Sequence, residues 1–270
     1  EQRLKLIRNE PIGNMRWDVN SLSNWPTASL HDDLNSGNYW TNSLSAEAKE
    51  MIGDTLWYLG GTANYTSASN GLTSHFYSYE RGTEVYSGRS TSWIGKVGLM
   101  YASDYGYATS GGTTTNRNAC LNKELYNWDS SSFSDCKNND WLYNFDYQWT
   151  LTSRSSTSND VFYVFNTGFV TDNLARNTRG ARPVVFLKSN ITIASGNGSS
   201  SQPYVMETKF SVCDINEDGT TDEGDLMEME TAVRSGNTDG LPESCDFNDD
   251  GLFDYNDYSL LEDYLISIGK

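Results

Sequence analysis

Short apolar runs separated by polar, turn-rich segments dominate the first two hundred residues of the chain. Residues 3–8 alternate apolar and polar side chains, as a half-buried strand does. Further runs predict strands at 96–101, 149–152, 161–165 and 184–187, and the last is continuous enough for a central strand. The pattern therefore predicts an α+β fold built from short strands.

A helix is predicted from Ala46 to Leu59, with Met51, Ile52 and Leu56 as its buried stripe. Ser45 is suited to cap its first turn, and Gly60-Gly61 to end it. Between the periodic segments, residues 18–44 predict loops with helical turns around Leu30 and Leu34. Residues 62–92 predict irregular structure, 109–140 a long polar insertion, and 189–203 a turn and linker.

Helical periodicity returns in the last sixty residues, and it occurs twice. Leu226, Met229 and Val233 have the spacing i, i+3, i+7, and Tyr258, Leu261 and Leu265 repeat it 32 residues later. Two short amphipathic helices that pack against each other are the expected structure.

A twelve-residue acidic pattern precedes each of these helices. Loop 1 is residues 214–225 and loop 2 is residues 246–257. In both, side-chain oxygens fall at positions 1, 3, 5, 9 and 12, a backbone carbonyl is available at position 7, and Gly219 or Gly251 stands at position 6. This spacing is typical of Ca²⁺ loops, so two bound ions are predicted. The predicted ligands are Asp214, Asn216, Asp218, Thr220, Asp222 and Asp225 in loop 1, and Asp246, Asn248, Asp250, Leu252, Asp254 and Asp257 in loop 2.

A solvated acidic tail is the alternative, but it would not repeat glycines and carboxylates in phase. Because no helix is predicted before either loop, residues 211–270 resemble a dockerin, the module that attaches secreted bacterial proteins to cohesins, rather than an EF-hand. The resemblance implies an all-α module with a cohesin-like partner. Loop positions 10 and 11, which commonly carry small hydroxyl residues in dockerins, hold Glu223-Gly224 and Tyr255-Asn256 here. The rival role is a brace against the chain's own first domain.

The net charge of −17 is concentrated in the calcium-loop region. Residues 211–270 hold 17 acidic residues against Arg234 and Lys270, which gives −15, whereas residues 1–210 hold 19 against 17, which gives −2. The sequence contains no basic patch of the kind that would indicate nucleic-acid binding. It also contains no apolar segment of about 20 residues that would indicate a membrane span.

Four cysteines predict two disulfides in an oxidising, extracellular setting. Cys213 and Cys245 each stand directly before a calcium loop, and Cys120 and Cys136 flank part of the polar insertion. These positions favour the pairs Cys213–Cys245 and Cys120–Cys136 among three possible connectivities. A zinc site is the alternative, but no Cys-x-x-Cys occurs.

Three segments follow one another in an order that resembles C-type-lectin-like domains of bacterial surface proteins. They are residues 149–155, residues 161–164 with Gly168, and residues 180–184. The likeness extends to retroelement-diversified variable proteins and to the formylglycine-generating-enzyme type of fold, without that enzyme's closely spaced cysteines. It implies a ligand face between Ser155 and Thr178, where Val161, Phe162, Val164 and Val170 would anchor exchangeable residues. An ordinary solvated hairpin is the alternative. The predicted ligand-contacting residues are Ser156, Thr157, Asn159, Asp160, Tyr163, Asn166, Asp172, Asn173, Arg176 and Asn177.

No catalytic motif is evident in the sequence. His31 beside Asp32 predicts surface polarity, and His75 has no partner motif. The many Trp and Tyr residues could form sugar platforms but more often supply core. Arg154 and Arg182 could hold an anion, although Arg182 is predicted to be a buried partner of a carboxylate.

We therefore expect a secreted or cell-surface, non-enzymatic binding protein, adhesin-like or receptor-like, with two domains. Residues 1–207 would bind an unknown protein or glycan, and residues 208–270 would form the calcium module. The rivals are a dockerin-bearing carbohydrate-active enzyme and a structural subunit of a surface appendage. A preceding segment, such as a cleaved signal peptide, is expected upstream of residue 1.

Overall fold

The chain forms two compact units, unit 1 (Glu1–Ser189) and unit 2 (Asn190–Lys270). The computed structural model describes residues 3–188, 191–199, 201–208, 213–216, 218 and 220–269. Each unit has its own cluster of buried apolar side chains. The domain boundary predicted after residue 207 lies within unit 2, at the end of a β-hairpin.

Unit 1 is a mixed α+β fold whose strands form two main sheets. Its strands are β1 (Lys5–Ile7), β2 (Asn14–Arg16), β3 (Thr55–Tyr58), β4 (Ser92–Gly95), β5 (Val97–Leu99), β6 (Gln148–Ser153), β7 (Asp160–Val164), β8 (Val170–Leu174), β9 (Thr178–Gly180) and β10 (Pro183–Phe186). One sheet has the order β2-β9-β6-β7-β8, in which only β6 and β9 run parallel. The other sheet has the antiparallel order β1-β10-β5, and β3 pairs with β4.

Unit 1 also contains short helices. They are α1 (Ser29–Asn35), α2 (Ala46–Met51), α3 (Thr73–Glu80), α4 (Ala102–Ala108), α5 (Arg117–Leu121) and α6 (Ser134–Asn138). Single helical turns lie at Trp25–Thr27, Tyr39–Ser43, Leu125–Asn127 and Ser131–Phe133.

Several predicted strands are confirmed. The run at 184–187 contributes β10, which is the central strand of its three-stranded sheet, and the run at 96–101 contains the fully buried β5. Leu30 and Leu34 are buried on α1, as the helical turns predicted there require. Continuous apolar runs therefore predicted both the central strand β10 and the buried edge strand β5 of this sheet.

The helix predicted from Ala46 to Leu59 is wrong in its second half. Ser45 caps it as predicted, since its Oγ accepts the Ala48 N–H at 3.1 Å, but the helix ends at Met51. The chain then forms β3, in which Trp57 is 1% exposed and donates its indole N–H to the Gly95 carbonyl at 3.0 Å. Burial of this Trp in the core outweighs the weak helical periodicity.

The irregular structure predicted for residues 62–92 is also wrong in part. Helix α3 lies in this segment and buries Thr73, Phe76 and Glu80. The polar composition of the segment concealed the helix, because two of these three inward-facing residues are polar. Glu80 accepts hydrogen bonds from Ser103 N and Thr152 Oγ1 at 3.1 and 2.7 Å, which links α3 to α4 and β6.

Arg182 is buried, as predicted, but its partners differ from the expected carboxylate. Its guanidinium donates to the Arg8 carbonyl at 2.8 Å, the Leu142 carbonyl at 2.7 Å and Gln148 Oε1 at 2.8 Å. These oxygens accept three of the five guanidinium N–H groups, while the carboxylates of Glu10 and Asp140 act on Arg182 through their charge and oppose the lowering of its pKa by burial. Arg182 thus holds together three segments that lie far apart along the chain.

Unit 2 contains a hairpin and two helices. The hairpin is β11 (Ile191–Ser195) with β12 (Val205–Thr208), and the helices are α7 (Glu223–Ser235) and α8 (Tyr255–Ser267). The predicted apolar stripes of the two helices do meet, with Met229, Leu261 and Leu265 buried together. Residues 209–212, between β12 and Cys213, lie outside the described residues.

Candidate functional site

Loop 2 lies directly before α8 and turns back on itself around its own carboxylates. Asp250 N–H donates to Asp246 Oδ1 and Asn248 Oδ1 at 3.2 and 3.0 Å, and Gly251 N–H donates to Asp246 Oδ2 at 2.8 Å. Asp249 and Gly251 both have positive φ, 57° and 80°, which confirms the tight reversal predicted at position 6. The side-chain oxygens at positions 1 and 3 thus gather on the inner side of one coil.

Position 12 closes this loop from the first turn of α8. Asp257 is fully buried, and its Oδ1 accepts the Phe247 and Asn248 N–H groups at 2.8 and 3.3 Å. Its Oδ2 accepts the Asp254 N–H at 3.1 Å, while Asp254 caps the helix by accepting the Asn256 N–H at 2.7 Å. Burial raises the pKa of Asp257, and its three N–H donors oppose that rise.

Loop 1 reproduces this arrangement, as the 32-residue repeat predicts. Asp225 is fully buried and accepts the Ile215, Asn216 and Asp222 N–H groups at 2.6, 3.3 and 2.9 Å. Asp218 N–H donates to Asp214 Oδ1 at 3.0 Å, as Asp250 N–H does to Asp246 in loop 2. Gly219 lies outside the described residues. The two loops therefore correspond in the hydrogen bonds that close them.

The donor set fits Ca²⁺ by its chemistry. Each loop offers carboxylate, amide and carbonyl oxygens on a flexible coil, with neither sulfur nor imidazole, as a hard cation of variable coordination requires. Among the described residues, no three His, Cys, Asp or Glu side chains converge as a metal cage. The loop carboxylates are instead held by backbone N–H groups.

Both predicted disulfides form. Cys213 and Cys245 are joined in unit 2, and Cys120 and Cys136 in unit 1. Cys213 and Cys245 are fully buried in the small core that they share with α7 and α8. The bridge therefore ties together the residues that immediately precede the two calcium loops.

Most of the predicted ligand residues of unit 1 gather at one end of the β7–β8 hairpin. Arg154 connects them, since its Nη1 lies 3.1 Å from Asp172 Oδ2, its Nε donates to Ser156 Oγ at 3.0 Å and its backbone N–H donates to the Asp160 carbonyl at 3.0 Å. Arg154, considered above as a possible anion-binding residue, is thus paired within the chain.

The same end of the hairpin contains the remaining members of this group. The Asn159 carbonyl accepts the Ala175 N–H at 2.8 Å, and Asn177 Nδ2 donates to Asn173 Oδ1 at 2.7 Å. Thr157 accepts a hydrogen bond from Arg89 at its carbonyl, and Arg176 is exposed. β8 is the outer strand of the five-stranded sheet, and Ser156 is exposed beside Arg176 at this end of the hairpin.

Two predicted ligand residues lie elsewhere. Asn166 is in the turn at the opposite end of the hairpin, where its carbonyl accepts the Tyr143 hydroxyl at 2.7 Å. Tyr163 is only 3% exposed; its ring centroid lies 5.8 Å from that of Trp149 and 4.8 Å from the Arg179 guanidinium. Tyr163 therefore offers no contact surface. Alternation along β7 could have indicated this, because Tyr163 shares a face with the anchor Val161.

The two histidines have structural surroundings. His31 does not lie in a loop: it is on α1, with its ring 4.7 Å from that of Trp93 and its Nδ1 3.1 Å from Asp32 Oδ1. His75 Nδ1 accepts the Leu72 N–H at the start of α3, at 3.4 Å. The described contacts of the two histidines include no Ser, Thr or Cys side chain that an imidazole could activate.

A cleft of about 280 Å³ in unit 1 was not predicted from the sequence. It lies between the β1-β10-β5 sheet, α4 and the segment that follows the polar insertion. Five tryptophans of unit 1 are buried in the core, but Trp141 at the rim of this cleft is 68% exposed. The residues that line the cleft are Lys5, Ile7, Met100, Asp104, Tyr107, Ala108, Trp141, Leu142 and Val184.

The C-terminal region thus combines two corresponding oxygen-lined loops, a helix after each loop and a cysteine bridge between the loop starts. Residues 212–266 match the Dockerin type I domain. Type I dockerin domains bind calcium and attach to cohesins, which confirms the dockerin-like character predicted for the C-terminal module. We refer to residues 212–266 as the dockerin module.

No curated protein and no solved structure matches the chain. No family match supports the C-type-lectin-like resemblance of residues 1–207, which therefore stays a prediction. None of the described helices combines the length and the apolar character needed to cross a membrane.

Proposed function

We propose that this chain is a secreted binding protein whose dockerin module, loaded with two Ca²⁺ ions, attaches unit 1 to a cohesin-bearing scaffold at a cell surface. The observation that carries the proposal is the family match at residues 212–266 together with the corresponding hydrogen bonding of both loops. Each loop would hold one ion through the six positions predicted from its spacing.

A cohesin can recognise the module through the exposed surface around its helix starts. Tyr255 at position 10 of loop 2 is 51% exposed, and Met227 on α7 is 68% exposed. Large apolar side chains on a small acidic module favour a protein partner over solvent. Tyr255 stands at a position where dockerins commonly carry a small hydroxyl residue, so we propose a cohesin with a matching apolar surface.

Calcium-dependent pull-down on a panel of immobilised cohesins tests this role. The full chain should bind at least one cohesin with Ca²⁺ and none with chelator. If no cohesin binds while Ca²⁺ is taken up, the module instead braces its own chain, and limited proteolysis should then show one resistant body only when Ca²⁺ is present.

For unit 1 we propose ligand binding without catalysis, on a C-type-lectin-like fold. The support is the end of the β7–β8 hairpin at which Ser156 and Arg176 are exposed. Arg176→Ala should weaken capture of a protein or glycan ligand while leaving the melting temperature of unit 1 nearly unchanged, whereas Asp172 is kept because its carboxylate is paired with Arg154. Equal capture by Arg176→Ala would place the ligand face elsewhere.

A carbohydrate-active enzyme is the second candidate, and one buried carboxyl favours it. Burial raises the pKa of Asp140 to about 8, against the opposing effects of the Leu142 and Tyr143 N–H groups and the Arg182 charge. Such a carboxyl keeps its proton at neutral pH, as a general acid must, and Asp140 directly precedes Trp141 of the cleft. A hydrolysis screen on polysaccharides tests this, since activity lost in Asp140→Asn would make the protein an enzyme.

A further inference from the structure

The cleft in unit 1 is a formed site with an apolar floor. Ile7 of β1 and Val184 of β10 are paired in the sheet register, and Met100 follows β5. Ala108 and Tyr107 of α4 form one wall. Its volume of about 280 Å³ is near the lower end of the range of about 300–1,000 Å³ for small-molecule sites.

The rim of the cleft carries exposed aromatic surface, although the Tyr107 ring also packs edge-on against Tyr77 at 6.1 Å between centroids. Trp141 is 68% exposed and Tyr107 is 38% exposed, whereas most aromatic rings of unit 1 are packed in its core. An exposed indole at the mouth of a cavity offers a flat apolar face with a polar N–H at its edge. Such a surface suits a ligand that is itself flat and apolar on one side.

The Trp141 backbone is held in place by the polar insertion. The insertion begins at Thr109 and ends at Asp140, and these two residues form an antiparallel bridge between the cleft residues Ala108 and Trp141. Asp140 Oδ1 accepts the Leu142 N–H at 2.8 Å, and the Cys120–Cys136 bridge ties the insertion internally. A rim fixed in this way lowers the entropy cost of binding.

One ion pair supplies the polar groups of the cleft. Lys5 Nζ contacts Asp104 Oδ2, and both side chains remain partly exposed, at 30% and 27%. Because the charges offset each other, the pair gives a ligand one donor and one acceptor without net charge. An anionic ligand would gain little electrostatic attraction from this neutral pair. A purely apolar ligand would remove water from the pair without forming hydrogen bonds that offset the loss.

We propose that this cleft binds one pyranose ring of a neutral saccharide, with an apolar ring face on Trp141 and hydroxyl groups on Lys5 and Asp104. A sugar hydroxyl both donates and accepts hydrogen bonds, so it can join an ammonium and a carboxylate at once. The assignment rests on the proposed binding function of unit 1 and names a ligand class for it. The cleft is a second site, separate from the residues predicted at the β7–β8 hairpin.

Saturation-transfer NMR on the full chain with Ca²⁺ tests the assignment. The probes are D-glucose, D-galactose, D-mannose, D-xylose and N-acetyl-D-glucosamine, with inorganic phosphate and benzyl alcohol as charged and apolar comparisons. At least one sugar should bind with a Kd on the order of 1 mM, as expected for a ligand of this size, and added salt should not change it.

Variants assign the signal to the cleft. Trp141→Ala should weaken sugar binding at least about tenfold, and Ala108→Leu, which fills the cleft from α4, should do the same. The control is Phe145→Ala, because Phe145 is 73% exposed but does not line the cleft. Trp141→Ala and Phe145→Ala change exposed residues, so their melting temperatures should match that of the unchanged chain.

Different failures have different meanings. If none of the sugars binds even well above the millimolar range, or if benzyl alcohol or phosphate binds more strongly, the saccharide assignment is overturned. If Trp141→Ala binds a sugar as strongly as the unchanged chain does, the cleft is not the binding site. Unit 1 would still be a binding domain in that case. The proposed function as a whole fails only if neither capture by unit 1 nor calcium-dependent attachment is observed.

Discussion

Unit 1 and the dockerin module differ in the interactions that can stabilise them. Unit 1 buries a continuous cluster that includes Trp17, Trp57 and Phe76, each no more than 1% exposed. Among the described residues of the dockerin module, the core contains five buried apolar side chains, and two of them are the bridged Cys213 and Cys245. Hydrophobic burial can stabilise the first, whereas the second has a disulfide in its core, and we expect it to depend on bound Ca²⁺ as well.

The charge distribution points to the same difference. Residues 1–210 are nearly neutral at −2, but residues 211–270 carry −15. At such a charge density, carboxylates repel one another and favour the unfolded chain unless cations offset them. Folding and metal binding should therefore be one process in the dockerin module and unrelated processes in unit 1.

The largest expected effect is loss of a position-12 carboxylate. Asp257→Asn places an amide NH₂ group among three backbone N–H donors and removes a charged member of the predicted ligand set, so cooperative unfolding of the dockerin module should disappear. Calorimetry in Ca²⁺ measures this. Asp249→Asn is the control, because it removes the same charge from loop 2 at a position outside the predicted ligand set. Equal melting of the two variants would contradict the role given to position 12.

Removing the Cys213–Cys245 bridge should have the next largest effect. The bridge joins residues 32 apart in sequence, for which chain entropy predicts a stabilisation between about 3 and 4.7 kcal/mol. The double variant Cys213→Ser/Cys245→Ser should therefore need far more Ca²⁺ to fold the module, which circular dichroism during Ca²⁺ titration measures. Cys120→Ser/Cys136→Ser should leave that titration unchanged.

Tyr163→Ala should destabilise unit 1 by about 3–5 kcal/mol, because it removes a buried aromatic ring from β7. Tyr163→Phe keeps the ring and should cost far less. Denaturant unfolding of both variants measures the difference. A small effect of Tyr163→Ala would restore the tyrosine to the ligand face.

Glu80 should make unit 1 less stable as the pH rises. A carboxylate paired with a cation at the surface has the opposite effect, because its pKa is lowered on folding. Burial raises its pKa to about 7, although hydrogen bonds from Ser103 and Thr152 oppose the rise. Well below the ordinary Glu pKa of 4.5, Glu80 is protonated in both the folded and the unfolded state. Its ionisation then contributes nothing to the free energy of unfolding. As the pH rises towards about 7 only the unfolded state ionises, so the free energy of unfolding falls by up to about 3 kcal/mol.

Glu80→Gln tests this effect because an amide can accept from Ser103 N and Thr152 Oγ1 and can meet Ser103 Oγ with its NH₂ group. At about pH 4 the free energy of unfolding of the variant should nearly equal that of the unchanged chain. As the pH rises to about 7, the variant should become the more stable of the two. Urea unfolding across this range is the measurement. A constant difference between the two proteins at every pH would show that Glu80 does not titrate as described.

These two regions also differ in how far their sequence predicts them. In the dockerin module the helices and the disulfide follow from local spacing, since loop and helix are contiguous and the pattern repeats. In unit 1 the strand at Trp57 and the helix carrying Glu80 depend on partners far along the chain, Gly95 and Thr152. The cleft was missed for the same reason, because its lining residues come from distant segments that meet only in the folded unit.

Hydrogen–deuterium exchange of the full chain, with Ca²⁺ and with chelator, tests most directly whether folding and metal binding are coupled in the dockerin module alone. We expect chelation to remove protection from α7 and α8 and to leave β5, β6, β7 and α3 of unit 1 protected. Protection that persists in α7 and α8 with chelator, or that is lost in both units together, would contradict this coupling.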